Sequence, residues 1–67
     1  MTYEDAARAV AVGYAVDSGN ESLHKVAENT WVFVGEDHVS SVHPDIEAAD
    51  ILENTFPGSP AGLVPDA

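Results

Sequence analysis

The sequence predicts a small α+β domain with an N-terminal helix, a short second helix or strand, an antiparallel β-hairpin and a C-terminal helix. Three observations predict it: a helix-capping pattern at the N-terminus, an uninterrupted β-branched and aromatic run near the middle, and an amphipathic pattern behind a proline. We place a single domain at residues 1–56 and a flexible tail rich in Pro and Gly at 57–67.

The first helix is predicted over residues 3–16. Thr2 and Asp5 have the spacing of a capping box, with Asp in place of the usual Glu, and alanines and apolar residues recur behind them with helical spacing. A competing pattern lies in the same stretch, because residues 9–16 read A-V-A-V-G-Y-A-V and alternate with the period of a strand. Gly13 also costs about 1 kcal/mol inside a helix. The cap and the alanine content favour the helix.

The sequence leaves two alternatives for the second element. Residues 17–20 carry turn chemistry, and Asn20 fits the cap of a short helix over 21–28 in which Glu21 pairs with Lys25 one turn later. A strand is the alternative, although the apolar residues of this segment alternate poorly.

The hairpin begins with residues 30–34, T-W-V-F-V, turns at 35–37 and returns at 38–43. Alternate residues of the first strand point to opposite faces, and both faces are apolar, which is typical of a strand buried on both sides. A chain of 67 residues has few residues left to bury both faces of this strand. We therefore expect a second copy or another partner at a predicted interface made of Trp31, Val32, Phe33, Val34 and Val39.

The C-terminal helix is predicted to begin at Pro44, which suits a first helical turn, with Asp45 and Glu47 near the positive end of the helix dipole. An apolar arc then recurs with helical spacing. Residues 54–58 end the helix. The members of the arc are Ala48, Ala49, Ile51, Leu52 and Phe56.

Composition limits the classes of function. The chain carries 12 acidic and 2 basic residues, a net charge of −10, and a hydrophobic fraction of 45%, which is too high for a disordered acidic tail. This composition resembles that of proteins from salt-loving archaea, and an acidic phage or bacterial protein is the alternative. Cysteine is absent, so disulfides and thiolate zinc sites are excluded. No signal-peptide pattern and no apolar run of membrane-spanning length occur, so we expect a cytoplasmic protein.

The histidines are weak metal candidates. His38 and His43 are five residues apart, so their side chains would leave a continuous strand on opposite faces, and His24 would have to join them from elsewhere. A nucleophile is less favoured still: Ser40 and Ser41 lie near His38, but catalytic triads are defined by geometry and no G-x-S-x-G elbow is present. No cofactor is expected.

Nucleic-acid binding has one argument for it and one against. A helix, a short helix and a hairpin follow the order of a winged helix-turn-helix. Phosphate contacts need several cations, and the chain offers only Arg8 and Lys25. We expect a non-enzymatic interaction module that forms a homo-oligomer, a dimer first; the alternatives are a winged helix-turn-helix regulator and a His/carboxylate metal-binding protein.

Overall fold

The computed structural model describes residues 2–56, which confirm the α+β class with two helices and a four-stranded antiparallel sheet. The strands lie side by side in chain order, β1-β2-β3-β4. The predicted tail, 57–67, lies outside the described residues. The elements are α1 (Tyr3–Ala9), β1 (Ala15–Ser18), β2 (Glu21–Ala27), β3 (Thr30–Val34), β4 (Ser40–His43) and α2 (Asp45–Thr55).

The first helix is shorter than predicted. The capping box is confirmed, since the Thr2 hydroxyl accepts the Asp5 N–H at 3.1 Å and the Asp5 carboxylate accepts the Thr2 N–H at 3.4 Å. The helix ends at Ala9 instead of residue 16, because Val10 is extended (φ −68°, ψ 146°) and Gly13 adopts φ +100°. The alternating pattern beyond Gly13 therefore forms β1, which the helix prediction had absorbed.

The segment 21–28 forms the strand β2 (Glu21–Ala27), the second of the two predicted alternatives, and not a short helix. Its first residue, Glu21, pairs with Ser18 across a two-residue turn in which Gly19 has φ +63°, the pattern of a type II′ hairpin. The alternation along β2 was hidden because one of its two fully inward positions holds a lysine: Leu23 and Lys25 are both buried. A charge on the buried side made the strand look irregular.

The predicted hairpin is confirmed as β3 and β4, with a longer connection than expected. His38 adopts φ +65° and the Asp37 carboxylate accepts the Val39 N–H at 3.1 Å, so the turn extends to Val39 and β4 begins at Ser40. The helix behind Pro44 is also confirmed. Both helices pack on one side of the sheet, and the core between them consists of Ala7, Val10, Leu23, Trp31, Ala48, Ala49, Leu52 and Phe56.

Candidate functional site

The two sides of the sheet differ completely in what covers them. Strand register places Leu23 beside Phe33 and Lys25 beside Trp31 on the side that faces the helices, here called the helix-facing side. The residues between them point the other way, because successive side chains of a strand alternate. This second side is called the outer face, and no described helix or strand covers it.

The helix-facing side contains a buried ion. Lys25 is 3% exposed, and its ammonium donates to the carbonyl oxygens of Ala7 at 2.9 Å, Arg8 at 3.2 Å and Val10 at 2.9 Å. These are the carbonyls that the end of α1 leaves without helical partners. All three ammonium protons are thus used, and Lys25 completes the C-terminus of α1 from a neighbouring strand.

A carboxylate lies close to this ammonium. Asp45 Oδ1 is 4.0 Å from Lys25 Nζ and accepts the Trp31 indole N–H at 2.7 Å. The backbone N–H of Asp45 donates to the Asn29 side-chain oxygen at 3.0 Å, so a β-turn residue satisfies the start of α2. Every buried side-chain polar atom in the described part of the chain has a partner. We call Lys25, Trp31 and Asp45 the buried network; each of its side-chain polar atoms that is shielded from solvent has a hydrogen-bond partner.

The outer face presents a row of valines. Val32 lies directly opposite Val42 across β3 and β4, and Val34 lies opposite Ser40. Val42 is 69% exposed, while the central-strand valines are partly shielded by their neighbours. Val32, Val34 and Val42 are called the valine patch. The sequence predicted an external cover for W-V-F-V without choosing between its two faces, and the valine patch is the face that the described helices leave uncovered.

Acidic residues avoid this patch. None of the paired outward positions on β2, β3 and β4 holds an acid. Apart from the valine patch, these positions hold Ser22, His24 and Ser40. Among the outward strand positions in residues 2–56, the one acid is Asp17, which lies on the edge strand β1. In a chain with twelve acids, the outer face therefore has a neutral centre and its charge at one edge.

The edge strand β4 carries a chain of hydrogen bonds between side chains. Ser41 Oγ lies 2.7 Å from His43 Nε2, and His43 Nδ1 lies 2.8 Å from Glu47 Oε1 on the first turn of α2. Ser41 is exposed and His43 is partly buried. We call these three residues the relay. The order of atoms, hydroxyl to Nε2 and Nδ1 to carboxylate, is that of a serine nucleophile with its base and orienting acid.

The residues proposed for the interface divide between the two sides of the sheet. Trp31 is fully buried in this chain's own core, and Phe33 also packs against that core. Val32 and Val34 lie on the outer face, and Val39, 64% exposed, lies in the connection before β4. The structure therefore places an exposed surface at the valines and not at the aromatic residues.

The metal and nucleic-acid candidates are not brought together. The histidines lie on the outer face (His24), in a turn (His38) and in the relay (His43), and no cluster of three or more His, Asp or Glu side chains able to hold a metal occurs in residues 2–56. Lys25 is buried and lies on a strand where a winged helix-turn-helix needs a recognition helix. Arg8 forms an ion pair with Glu4 at 2.7 Å.

Sequence reasoning missed the relay and the role of Lys25. The relay has a local signal, since Ser41 and His43 are two apart on a strand and Glu47 follows His43 by one helical turn. Lys25 had none, because its carbonyl partners lie 15 to 18 residues away.

Comparisons with known proteins add no assignment: no family model matches the chain, and neither a curated protein nor a solved structure matches it significantly. Within residues 2–56, neither helix has the length and apolar content that crossing a membrane requires.

Proposed function

We propose that the chain is a non-enzymatic interaction module that self-associates through its hairpin, by packing the outer face of its sheet on that of a second copy. The observation that carries this proposal is the valine patch, which points away from both helices and has no cover within residues 2–56. Sheets with an apolar face pack on one another at a separation of about 10 Å. A cytoplasmic location remains a prediction from the sequence.

Charge favours a second copy as the occupant of this face. Two chains of net charge −10 repel one another, but the neutral centre of the outer face lets them meet where neither copy has an acid. The two-fold symmetry of such a dimer places the same valine patch on both sides of the contact, which makes an apolar surface self-complementary. Asp17 of each copy can remain at the rim, in water.

The size of the face sets the strength of the association. Four strands at ~4.8 Å spacing span about 19 Å, and five residues at ~3.3 Å rise span about 17 Å. The projected area is therefore about 320 Å² per copy, below the roughly 800 Å² per partner of a standard stable interface. We propose a weak dimer whose population depends on protein concentration.

The same module is proposed to be adapted to high salt. Of the acids in residues 2–56, only Asp45 is buried, and the others lie on the surface or partly exposed. Concentrated salt screens the repulsion between such charges. Salt should therefore strengthen self-association, in contrast to a contact formed by opposite charges.

The test is sedimentation equilibrium across a wide range of protein concentration, at low and at molar salt. Val42→Asp places a charge in the valine patch and should abolish the dimer. Ile46→Asp is the matched control, because Ile46 is comparably exposed (60% against 69%) but lies on α2, in the opposite layer. It should leave the dimer intact.

Two results would overturn the proposal. One is a wild-type chain that stays monomeric at every concentration in both salts. The other is a dimer that Val42→Asp and Ile46→Asp weaken equally, since the contact would then not depend on the outer face. Circular dichroism of each variant separates lost association from lost folding.

A further inference from the structure

The relay lies at the free edge of the sheet, apart from the valine patch. Ser41 and His43 project from β4 toward the helix-facing side, because they pair with Phe33 and Trp31, whereas Val42 between them belongs to the outer face. A reaction at Ser41 would therefore use side chains on the opposite face of β4 from those of the proposed self-association.

Local structure explains why the three side chains meet. Residues two apart on a strand share a face, so Ser41 and His43 are neighbours along the edge. Pro44 holds the preceding His43 in an extended conformation and starts α2, whose first turn presents Glu47 to the imidazole. With the imidazole proton on Nδ1 and donated to Glu47, Nε2 is left to accept the Ser41 proton.

The sheet edge adds a backbone donor beside the hydroxyl. The Gly35 N–H donates to the Val39 carbonyl oxygen at 3.2 Å, which makes Gly35/Val39 a hydrogen-bonded pair. Along an antiparallel ladder, hydrogen-bonded and non-hydrogen-bonded pairs alternate. In this register Phe33/Ser41 is a bonded pair, so the backbone N–H of Val42 points outward from β4. No strand in the described part of the chain covers that edge. In hydrolases with a nucleophile elbow, the N–H that follows the nucleophile forms part of the oxyanion hole.

We propose that Ser41 is an activated nucleophile that accepts an acyl group from small activated esters. Ser41 Oγ forms a bond to the ester carbonyl carbon while its proton passes to His43 Nε2. The Val42 N–H donates to the carbonyl oxygen as that oxygen gains charge. The tetrahedral intermediate collapses by breaking the ester C–O bond, and the leaving alkoxide takes the proton from His43. The products are acyl-Ser41 and the free alcohol.

Glu47 is a positioning residue in this reaction. It touches neither the ester nor Ser41, and its side chain is 60% exposed, so its contribution is to hold the imidazole with Nε2 toward the hydroxyl. The site supplies one backbone N–H where efficient hydrolases supply two. Acylation of Ser41 is therefore the proposed event, and rapid turnover is not.

The chain contains an internal comparison. Ser22 and His24 have the same spacing on β2, with Ser22 Oγ 2.9 Å from His24 Nε2. Within residues 2–56, no carboxylate hydrogen-bonds to His24 Nδ1, in contrast to His43. Ser22 therefore has a neighbouring base without an orienting acid, and Ser40, next to the relay, has neither.

The experiment treats the folded chain with p-nitrophenyl acetate and locates the acetyl groups by peptide mass spectrometry over time. We expect Ser41 to be acetylated about 100-fold faster than Ser40, which has no neighbouring base; this is the lower end of the usual contribution of a general base. It should also be acetylated faster than Ser22, whose base lacks an orienting acid. Ser41→Ala should remove the adduct and His43→Ala should reduce the rate at Ser41 to that at Ser40. Glu47→Ala should slow it, and Glu47→Gln should restore part of the rate, because the amide oxygen still accepts from Nδ1.

Several outcomes would overturn the proposal. They are equal acetylation of Ser41, Ser40 and Ser22, an adduct on the His43 ring in place of Ser41, or an unchanged rate at Ser41 in His43→Ala. Val32→Asp, which alters the valine patch, should leave the rate at Ser41 unchanged. A negative acylation result would therefore leave the proposal of self-association untouched, and the loss of self-association would leave the acylation proposal untouched.

Discussion

The helix-facing side and the outer face of the sheet are made by the same strands and do opposite things. On the helix-facing side Leu23 and Trp31 are fully buried and even a lysine has all its protons bound. On the outer face, one residue away along each strand, Val42 is 69% exposed. The difference teaches that the pleat of a strand separates residues that hold the domain together from residues that remain available to a partner.

Removing the buried ammonium is expected to have the largest effect. Lys25→Met leaves the Ala7 and Val10 carbonyls without their donor and Asp45 buried without its counter-ion. Breaking a buried pair from one side costs about 3–5 kcal/mol. The measurement is the free energy of unfolding by urea, with salt present to retain a folded baseline.

The matched control for this change is Arg8→Met, which removes the exposed cation of a surface pair with Glu4 and should cost less than about 1 kcal/mol. If Lys25→Met were no more costly than Arg8→Met, the buried network would not be a main source of stability. Should Lys25→Met fail to fold, Asp45→Asn tests the same network from the other partner, while an acceptor for Trp31 remains.

The next prediction compares the two sides of the sheet by truncating one side chain on each. Leu23→Ala, on the helix-facing side, creates a cavity and should cost about 2–5 kcal/mol. Val42→Ala, on the outer face, should change the free energy of unfolding of the monomer by about 0.5 kcal/mol or less. Urea unfolding at a concentration where the chain is monomeric measures both. Similar costs would show that the outer face is part of the monomer's own core.

The smallest expected effect concerns Tyr14 at the border of the helix-facing side, where its ring packs edge-on against Trp31 at 6.3 Å between centroids. Burial raises the pKa of the Tyr14 hydroxyl above its ordinary value of 10.0. The unfolded chain therefore loses this proton first as pH rises, so stability should fall above about pH 10 until the folded protein also ionises.

Unfolding of the wild type and Tyr14→Phe, compared on both sides of that pH, measures the effect. The variant should lose less stability at high pH. An equal loss in both proteins would mean that Tyr14 ionises alike in the folded and unfolded chains.

The sequence could predict those elements whose signals are local. The strand T-W-V-F-V and the helix behind Pro44 follow from residue type and period, and both are confirmed. The end of α1 was misplaced although Gly13 and the strand-like alternation of residues 9–16 marked it, while the donor to its last carbonyls, Lys25, comes from another element and has no local signal. The strand β2 was difficult to assign because a lysine at an inward position breaks the apolar alternation by which strands are recognised in a sequence.

The candidate sites show a similar division. The two-sided apolarity of β3 predicted apolar side chains on both sides of the sheet, but only the register shows that Val32 and Val34, and not Trp31, lie on the side without a helix. The relay was overlooked because triads are recognised from distances, and the partner of His43 came from the following helix and not from the preceding turn.

The way in which Lys25 completes α1 has a consequence for how the domain loses its structure. A helix of seven residues is too short to persist alone, and here its last carbonyls are held by a side chain that reaches them only when β2 is in place. If α1 unfolded while the sheet stayed intact, the Lys25 ammonium would lose all three of its carbonyl acceptors. We therefore expect α1 and the sheet to unfold together as one cooperative unit, because the Lys25 side chain links them.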